Sequence, residues 1–132
     1  MPKETSDIVI KKLFEVFLKV NGRRPRILLI GISKTEVKLQ KTAIKLAEIG
    51  FDLDFASSYE DPKHAAKQAI ENDVHFIILY SLSEEKTNAI KAIKKELLNN
   101  KRSDIYIKFW SDLDIKNSFK KIVNELIATN LK

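Results

Sequence analysis

The sequence predicts an α/β three-layer sandwich built on a parallel sheet of about four strands, and three observations carry that prediction. Continuous short apolar runs recur, as strands covered on both faces require; Ile27-Leu28-Leu29-Ile30 and Val74 through Tyr80 are the strongest. Stretches with apolar residues at helical spacing separate these runs. Strands that alternate with helices pair in parallel through right-handed crossovers, which put helices on both faces of the sheet.

Each element has its own signal. Residues 6–20 read as an N-terminal helix, capped by Ser6 or Asp7, with Ile10, Leu13, Phe14, Phe17 and Leu18 at helical spacing. Asn21-Gly22 ends it. Such a helix has no place inside a β-α-β repeat, so its two phenylalanines must cover the sheet or a partner. Pro25 and Arg26 lead into the first strand. After Gly31, Val37, Leu39, Ala43, Ile44, Leu46, Ala47 and Ile49 give the crossover helix its apolar stripe, and Gly50 stops it. Phe51, Leu53 and Phe55 alternate as the second strand. A turn over 57–61 precedes Pro62, well suited to a first helical turn, and Ala65, Ala66, Ala69 and Ile70 give the helix to about residue 72 a face that can lie close to a sheet. The third strand is 74–80. Ser83 with Glu85-Lys86 starts a helix with Ala89, Ile90, Ile93, Leu97 and Leu98 inward. Residues 99–103 break it, 104–110 give a fourth strand, and 115–128 give a last helix with Phe119, Ile122, Val123, Leu126 and Ile127 inward.

The expected strand order is 2-1-3-4, a flavodoxin-like winding cut short. Ligands in that winding sit beyond the carboxyl ends of the strands, at the switch point between the first and third. Gly31-Ile32-Ser33-Lys34-Thr35 and Tyr80-Ser81-Leu82-Ser83 would line the crevice. Ser57, Ser58 and Tyr59 would border it on one side; Trp110, Ser111 and Asp112 on the other.

Composition narrows the field. At 132 residues and 44% apolar content, the chain fits one domain with a core of its own. With no cysteine it has no disulfide, thiolate nucleophile or cysteine zinc site, which suits a cytoplasmic protein. No apolar run reaches the roughly 18–20 residues that span a bilayer, and the first residues are too polar and acidic to open a signal peptide. The net charge of +6 makes this a basic protein, but its lysines are spread along every helix rather than gathered, which favours a solvated surface over nucleic acid.

The phrase GRRPRILL, followed downstream by GFDLDFAS and then by DPKHAAKQAIENDVHFIILYSLS, resembles the cobalamin-binding domain of methylmalonyl-CoA mutase and its small-subunit relatives. The resemblance runs from about Gly22 to Leu98. It implies a loop after the first strand bearing Asp-x-His-x-x-Gly, whose histidine ligates cobalt while the nucleotide tail of the cofactor is buried. It also implies a Ser-rich segment after the third strand and a Gly-Gly pair after the fourth, lining the tail's channel. This sequence departs at each point. Ser33, Thr35 and Lys38 stand where the Asp, His and Gly would be. Thr35 cannot replace an imidazole on cobalt, and Lys38 puts a long charged chain where glycine would let a corrin approach. Ser81 and Leu82 match, Tyr80 takes the place of a small residue, Phe109-Trp110 take the place of the glycines, and the fifth strand has no counterpart.

Other chemistries fare worse. His75 lies near the amino end of its strand, on the wrong edge of the sheet for the crevice, and reads as structural. His64, early in the third helix, could face the crevice but has no partner at metal-ligand spacing, so no metal site is expected. Phosphoryl-accepting receiver domains need carboxylates at the ends of the first and third strands, where none stands. A dinucleotide site needs closely spaced glycines, and only Gly31 is present. The turn at Ser33, Lys34 and Thr35 puts a lysine and two hydroxyls at a helix amino terminus, which favours an anion, although the hydroxyls serve equally as caps. Arg23, Arg24 and Arg26 with Lys101 and Arg102 are the densest basic spots. Trp110 stands at a strand end as either a partner anchor or a crevice plug.

The expectation is a helix over 1–21 and a cobalamin-binding-like α/β domain over 22–132. No nucleophile, base and orienter assemble from these residues, so the chain is not expected to be an enzyme alone. It reads as a non-catalytic binding module or pseudo-subunit lacking the cobalt-ligating histidine. The alternatives are a genuine cobalamin-carrying subunit of an acyl-CoA mutase, an isomerase, and a small-anion or nucleotide binder at the 31–35 turn. Candidate cofactor-binding residues are Ser33, Lys34, Thr35, Ser81, Ser83 and Trp110. No cofactor is expected, cobalamin being the one the resemblance suggests. Candidate partners are a mutase large subunit or a second copy through the N-terminal helix; neither a membrane nor nucleic acid is expected.

Overall fold

A computed structural model describes residues 2–32, 36–56, 61–81 and 88–111. Its elements are α1 (Pro2–Asn21), β1 (Arg26–Gly31), α2 (Glu36–Ile49), β2 (Asp52–Ala56), α3 (Pro62–Glu71), β3 (Phe76–Ser81), α4 (Ala89–Asn99) and β4 (Tyr106–Ser111). The four strands form one parallel sheet in the order β2-β1-β3-β4, as the sequence predicts. The predicted last helix, 115–128, lies outside the described residues.

The sheet order explains the layers. The chain leaves β1 for one neighbour, β2, then returns past β1 to β3 and β4, so crossovers of one hand must change faces. Ile27 and Leu29 of β1, with Phe76, Ile78 and Tyr80 of β3 and Trp110 of β4, meet Leu39 and Leu46 of α2 on one face. Phe17 of α1 joins the same cluster, with Leu13 and Phe14 packed against it. The alternate residues Leu28, Ile30, Ile77, Leu79 and Ile107 face Ala65, Ala66 and Ala69 of α3 and Ala89, Ile93 and Leu97 of α4. Both central strands are buried on both faces, which is why they read as unbroken apolar runs. The N-terminal helix therefore packs on its own sheet.

Two helical stripes are narrower than the sequence suggests. On α2, Ile44 is 59% exposed and Ala47 is exposed, while Thr42 is buried. Leu39, Thr42, Ala43, Leu46 and Ile49 follow the helical period; Ile44 and Ala47 fall outside that arc. On α4, Leu98 points outward, 64% exposed, beside the buried Leu97. Helix α1 also begins at Pro2, before the predicted caps.

Helix ends are set by local chemistry. Gly22 (φ 78°) receives the chain leaving α1 and donates its N–H to Leu18 O at 2.8 Å. Gly50 (φ 134°) does the same for α2, in a conformation that side chains resist. Asp61 caps α3, its Oδ1 accepting the His64 N–H at 2.7 Å. Helices α3 and α4 both end in Schellman turns without glycine. Asp73 (φ 48°) donates to Ile70 O and Val74 to Ala69 O; Lys101 (φ 59°) donates to Leu98 O and Arg102 to Leu97 O. A left-handed residue with a Cβ costs about 1 kcal/mol, so Lys101→Gly is expected to stabilise the fold by about 0.5–1 kcal/mol in urea unfolding. Unchanged or lower stability would mean the Lys101 side chain holds something that the turn geometry does not explain.

Candidate functional site

The predicted crevice falls at the carboxyl edge of the sheet. Pairing between β1 and β3 continues one step past Gly31, where the Ile32 N–H reaches Tyr80 O at 2.8 Å. Tyr80 stands opposite Trp110 in the β3–β4 register, and Ser81 stands opposite Ser111 at the strand ends. Tyr80 and Trp110 are each 1% exposed and belong to the core cluster beneath α1 and α2. Of the predicted site residues, Trp110 is thus in the interior, and Ser81 ends β3. Ser33, Lys34, Thr35 and Ser83, with the bordering 57–59, lie outside the described residues. His64 is exposed on the first turn of α3. Among the described residues no group of three or more His, Asp or Glu side chains is placed to hold a metal, and no helix is long and apolar enough to cross a membrane.

The amino edge of the sheet carries the polar assembly. The two Schellman turns end α3 and α4 beside one another, so Asp73 and Arg102 meet, with Arg102 Nη2 donating to Asp73 Oδ1 at 2.8 Å. Arg23, just after α1, donates from Nη2 to the Asp73 carbonyl and reaches Asp73 Oδ2 at 3.2 Å. Arg102 Nε also donates to Asp104 Oδ1 at 3.1 Å. One carboxylate thus takes a guanidinium on each oxygen. The Asp73 carboxyl is held below its ordinary pKa first by the Arg102 hydrogen bond, with Arg23 adding to it against the opposing effect of burial. A second pair locks the start of β1 to the edge strand β2: Arg26 donates from Nε and Nη2 to the two oxygens of Asp54 at 2.9 and 3.0 Å.

His75 sits between these groups and the core. Its Nδ1 accepts the Arg26 N–H at 3.0 Å, which fixes the neutral tautomer with hydrogen on Nε2. The ring packs edge-on against Phe17, with centroids 4.8 Å apart at 84°. Burial, and then the nearby Arg23 charge, lower its pKa from 6.5 to about 4, against the opposite pull of Asp73 and Asp104. The structural reading of His75 agrees with this setting. A native pKa below the unfolded one means that the unfolded chain takes up the proton first. The stabilisation is therefore complete above pH 6.5 and is lost as pH falls from about 6.5 to about 4. Because the residue is only partly buried, solvent screening reduces the full linkage, and the expected loss across that window is about 1–2 kcal/mol. Urea unfolding at pH 7.5 and 5 checks this: His75→Gln should flatten the difference, and an equal slope in the variant would assign it elsewhere.

The methylmalonyl-CoA mutase large subunit of Propionibacterium freudenreichii subsp. shermanii is 36% identical over 99 residues, covering 74% of this chain and 14% of that protein. The probable methylmalonyl-CoA mutase large subunit of Mycobacterium tuberculosis (strain ATCC 25618 / H37Rv) is 37% identical over 98 residues, 73% of this chain and 13% of its own. This chain is a relative of methylmalonyl-CoA mutase. The Escherichia coli (strain K12) mutase is 34% identical over 95 residues, 70% of this chain and 13% of its own. No protein-family model matches the chain. The chain spans about one seventh of the length of the curated mutases it matches.

Proposed function

We propose that this mutase relative is a non-catalytic binding module or pseudo-subunit, built on a cobalamin-binding scaffold over residues 22–132 and lacking the cobalt-ligating histidine. Residues 1–21 are an added helix in this reading. The observation that carries it is the Tyr80–Trp110 pair. The resemblance expects small residues at these positions, beside the channel for a cofactor tail; here two large rings, paired in register, are 1% exposed inside the core. Interiors are packed at crystal density, so a tail could enter there only by displacing both rings. Cobalamin therefore does not fit the residues present at this edge, and no chemical step is assigned through it. Thr35 in place of the histidine supports the same reading. The similarity to mutases favours a mutase-like large subunit as the partner, in a cytoplasmic setting.

An absorbance titration of the purified chain with hydroxocobalamin and adenosylcobalamin tests the reading. No saturable change in the corrin spectrum is expected up to tens of micromolar. Saturable binding with an altered spectrum would overturn it in favour of a genuine cobalamin-carrying subunit, and the lower ligand would then be sought first at His64.

A further inference from the structure

The sequence shows two basic runs far apart, Arg23-Arg24 and Lys101-Arg102, and the fold brings Arg23 and Arg102 onto one carboxylate at the amino edge of the sheet. There they enclose a solvent-open cavity of about 330 Å³ with Asn21, Asp73, His75 and Asp104. We infer that this basin is a binding site for a small oxyanion, a carboxylate or a phosphate, gripped by Arg23 and Arg102.

The balance of donors and acceptors argues for it. Asp73 Oδ1 is taken by Arg102 and Oδ2 by Arg23, and both oxygens of Asp104 face Arg102, at 3.1 and 3.4 Å. Each acidic oxygen thus already faces a guanidinium, and further guanidinium donors remain. Arg23 engages its described partners through Nη2 and Arg102 through Nε and Nη2, so each guanidinium keeps further N–H groups for a ligand. His75 spends Nδ1 on the Arg26 N–H and holds its hydrogen on Nε2. Asn21 spends Nδ2 on Phe17 O and contributes one amide oxygen, able to meet a hydroxyl of the ligand. The N–H groups left open on two planar guanidinium forks and on His75 converge on the cavity, and such forks match the oxygens of an acceptor ligand. The volume is at the small end of ligand sites, which run from about 300 to 1,000 Å³. Asp73, 63% exposed and held in a left-handed turn, is the internal carboxylate that a ligand would compete with for both forks. The site is at the opposite edge of the sheet from the crevice and does not depend on any reading of cobalamin.

The test is an NMR titration of the full chain, following the His75 imidazole after assignment with His64→Gln, with sodium phosphate or sodium succinate against sodium chloride at equal ionic strength. Saturable shifts at His75 are expected, together with an upward move of its titration midpoint, because a bound anion favours the imidazolium. Arg102→Gln or Arg23→Gln should weaken binding about tenfold, the loss of one charge-assisted hydrogen bond. Asp73→Asn keeps a residue that tolerates the left-handed turn and removes the internal competitor, so it should tighten binding even as it loosens the fold. Phosphate and succinate affinities show which oxyanion is preferred. Absence of a saturable shift, an equal effect of chloride, full affinity in Arg102→Gln or weaker binding in Asp73→Asn would each overturn the assignment.

Discussion

Trp110→Ala is expected to cost about 3–5 kcal/mol, a large part of the total stability of an ordinary domain. The residue is 1% exposed, lies on the same face as Tyr106 of its own strand, and stands opposite Tyr80. Removing the indole would leave a void against Tyr80 and the cluster beneath α1 and α2, and that cluster can collapse only by moving a central strand. Trp110 is the only tryptophan, so its replacement also removes the usual fluorescence probe, and unfolding must be followed by circular dichroism. Trp110→Phe keeps an aromatic ring in place and should cost about 1–2 kcal/mol, by the smaller volume lost. This pair of values bears on function as well as stability. If Trp110→Ala cost less than about 1 kcal/mol, the carboxyl edge would not be close-packed there. Close packing would then not shut out a cofactor tail.

The fold was legible where burial is symmetrical and obscure where it is not. Strands β1 and β3 announce themselves because both faces are covered, leaving no polar alternation to confuse with anything else. The strand order followed from the alternation of elements and the rule of handedness. Surface helices were harder. The α2 segment has apolar residues at so many positions that several arcs fit, and only packing against β1 shows that Thr42 faces in and Ile44 out. The amino-edge basin is not legible as a unit, since its parts are separated by 50 residues between Arg23 and Asp73 and by 29 between Asp73 and Arg102. The signal was present in a weaker form: Asn72-Asp73 and Asn100-Lys101 each follow an amphipathic helix and precede a strand, a natural place for a left-handed turn. Two such turns ending neighbouring helices put the following side chains together, but only the sheet order says that the helices are neighbours. His75 lies on an edge that is legible, because a position near the amino end of a parallel strand fixes it. Its partners, which come from three different connections, could not be known from position alone.

Phe17→Ala should cost about 3–4 kcal/mol and should release α1 from the sheet. Most of a helix's stability in a folded protein comes from packing its apolar face rather than from propensity, so α1 persists because of the face it buries. That face is narrow. Phe17 is fully buried, Leu13 and Phe14 are partly buried beside it, and Val16, Leu18 and Val20 are 47%, 48% and 68% exposed. Phe17 also seals the ring of His75, and the burial it provides contributes to the lowered pKa. The two effects are therefore coupled. In Phe17→Ala the His75 pKa should return toward 6.5, and the loss of stability between pH 7.5 and 5 should shrink with it. A double-mutant cycle with His75→Gln would show the coupling as non-additivity beyond about 0.5 kcal/mol, the usual limit for independent sites. Val20→Ala, on the exposed side, is the control and should stay within about 0.5 kcal/mol of the parent. Limited proteolysis supplies the structural readout, with new cuts in residues 11–22 expected only in the Phe17 variant. A cost below about 1 kcal/mol with no new cleavage would make α1 a peripheral attachment. A cost of the expected size makes it the helix that completes one face of the sheet, and the folded unit then begins with it rather than after Asn21.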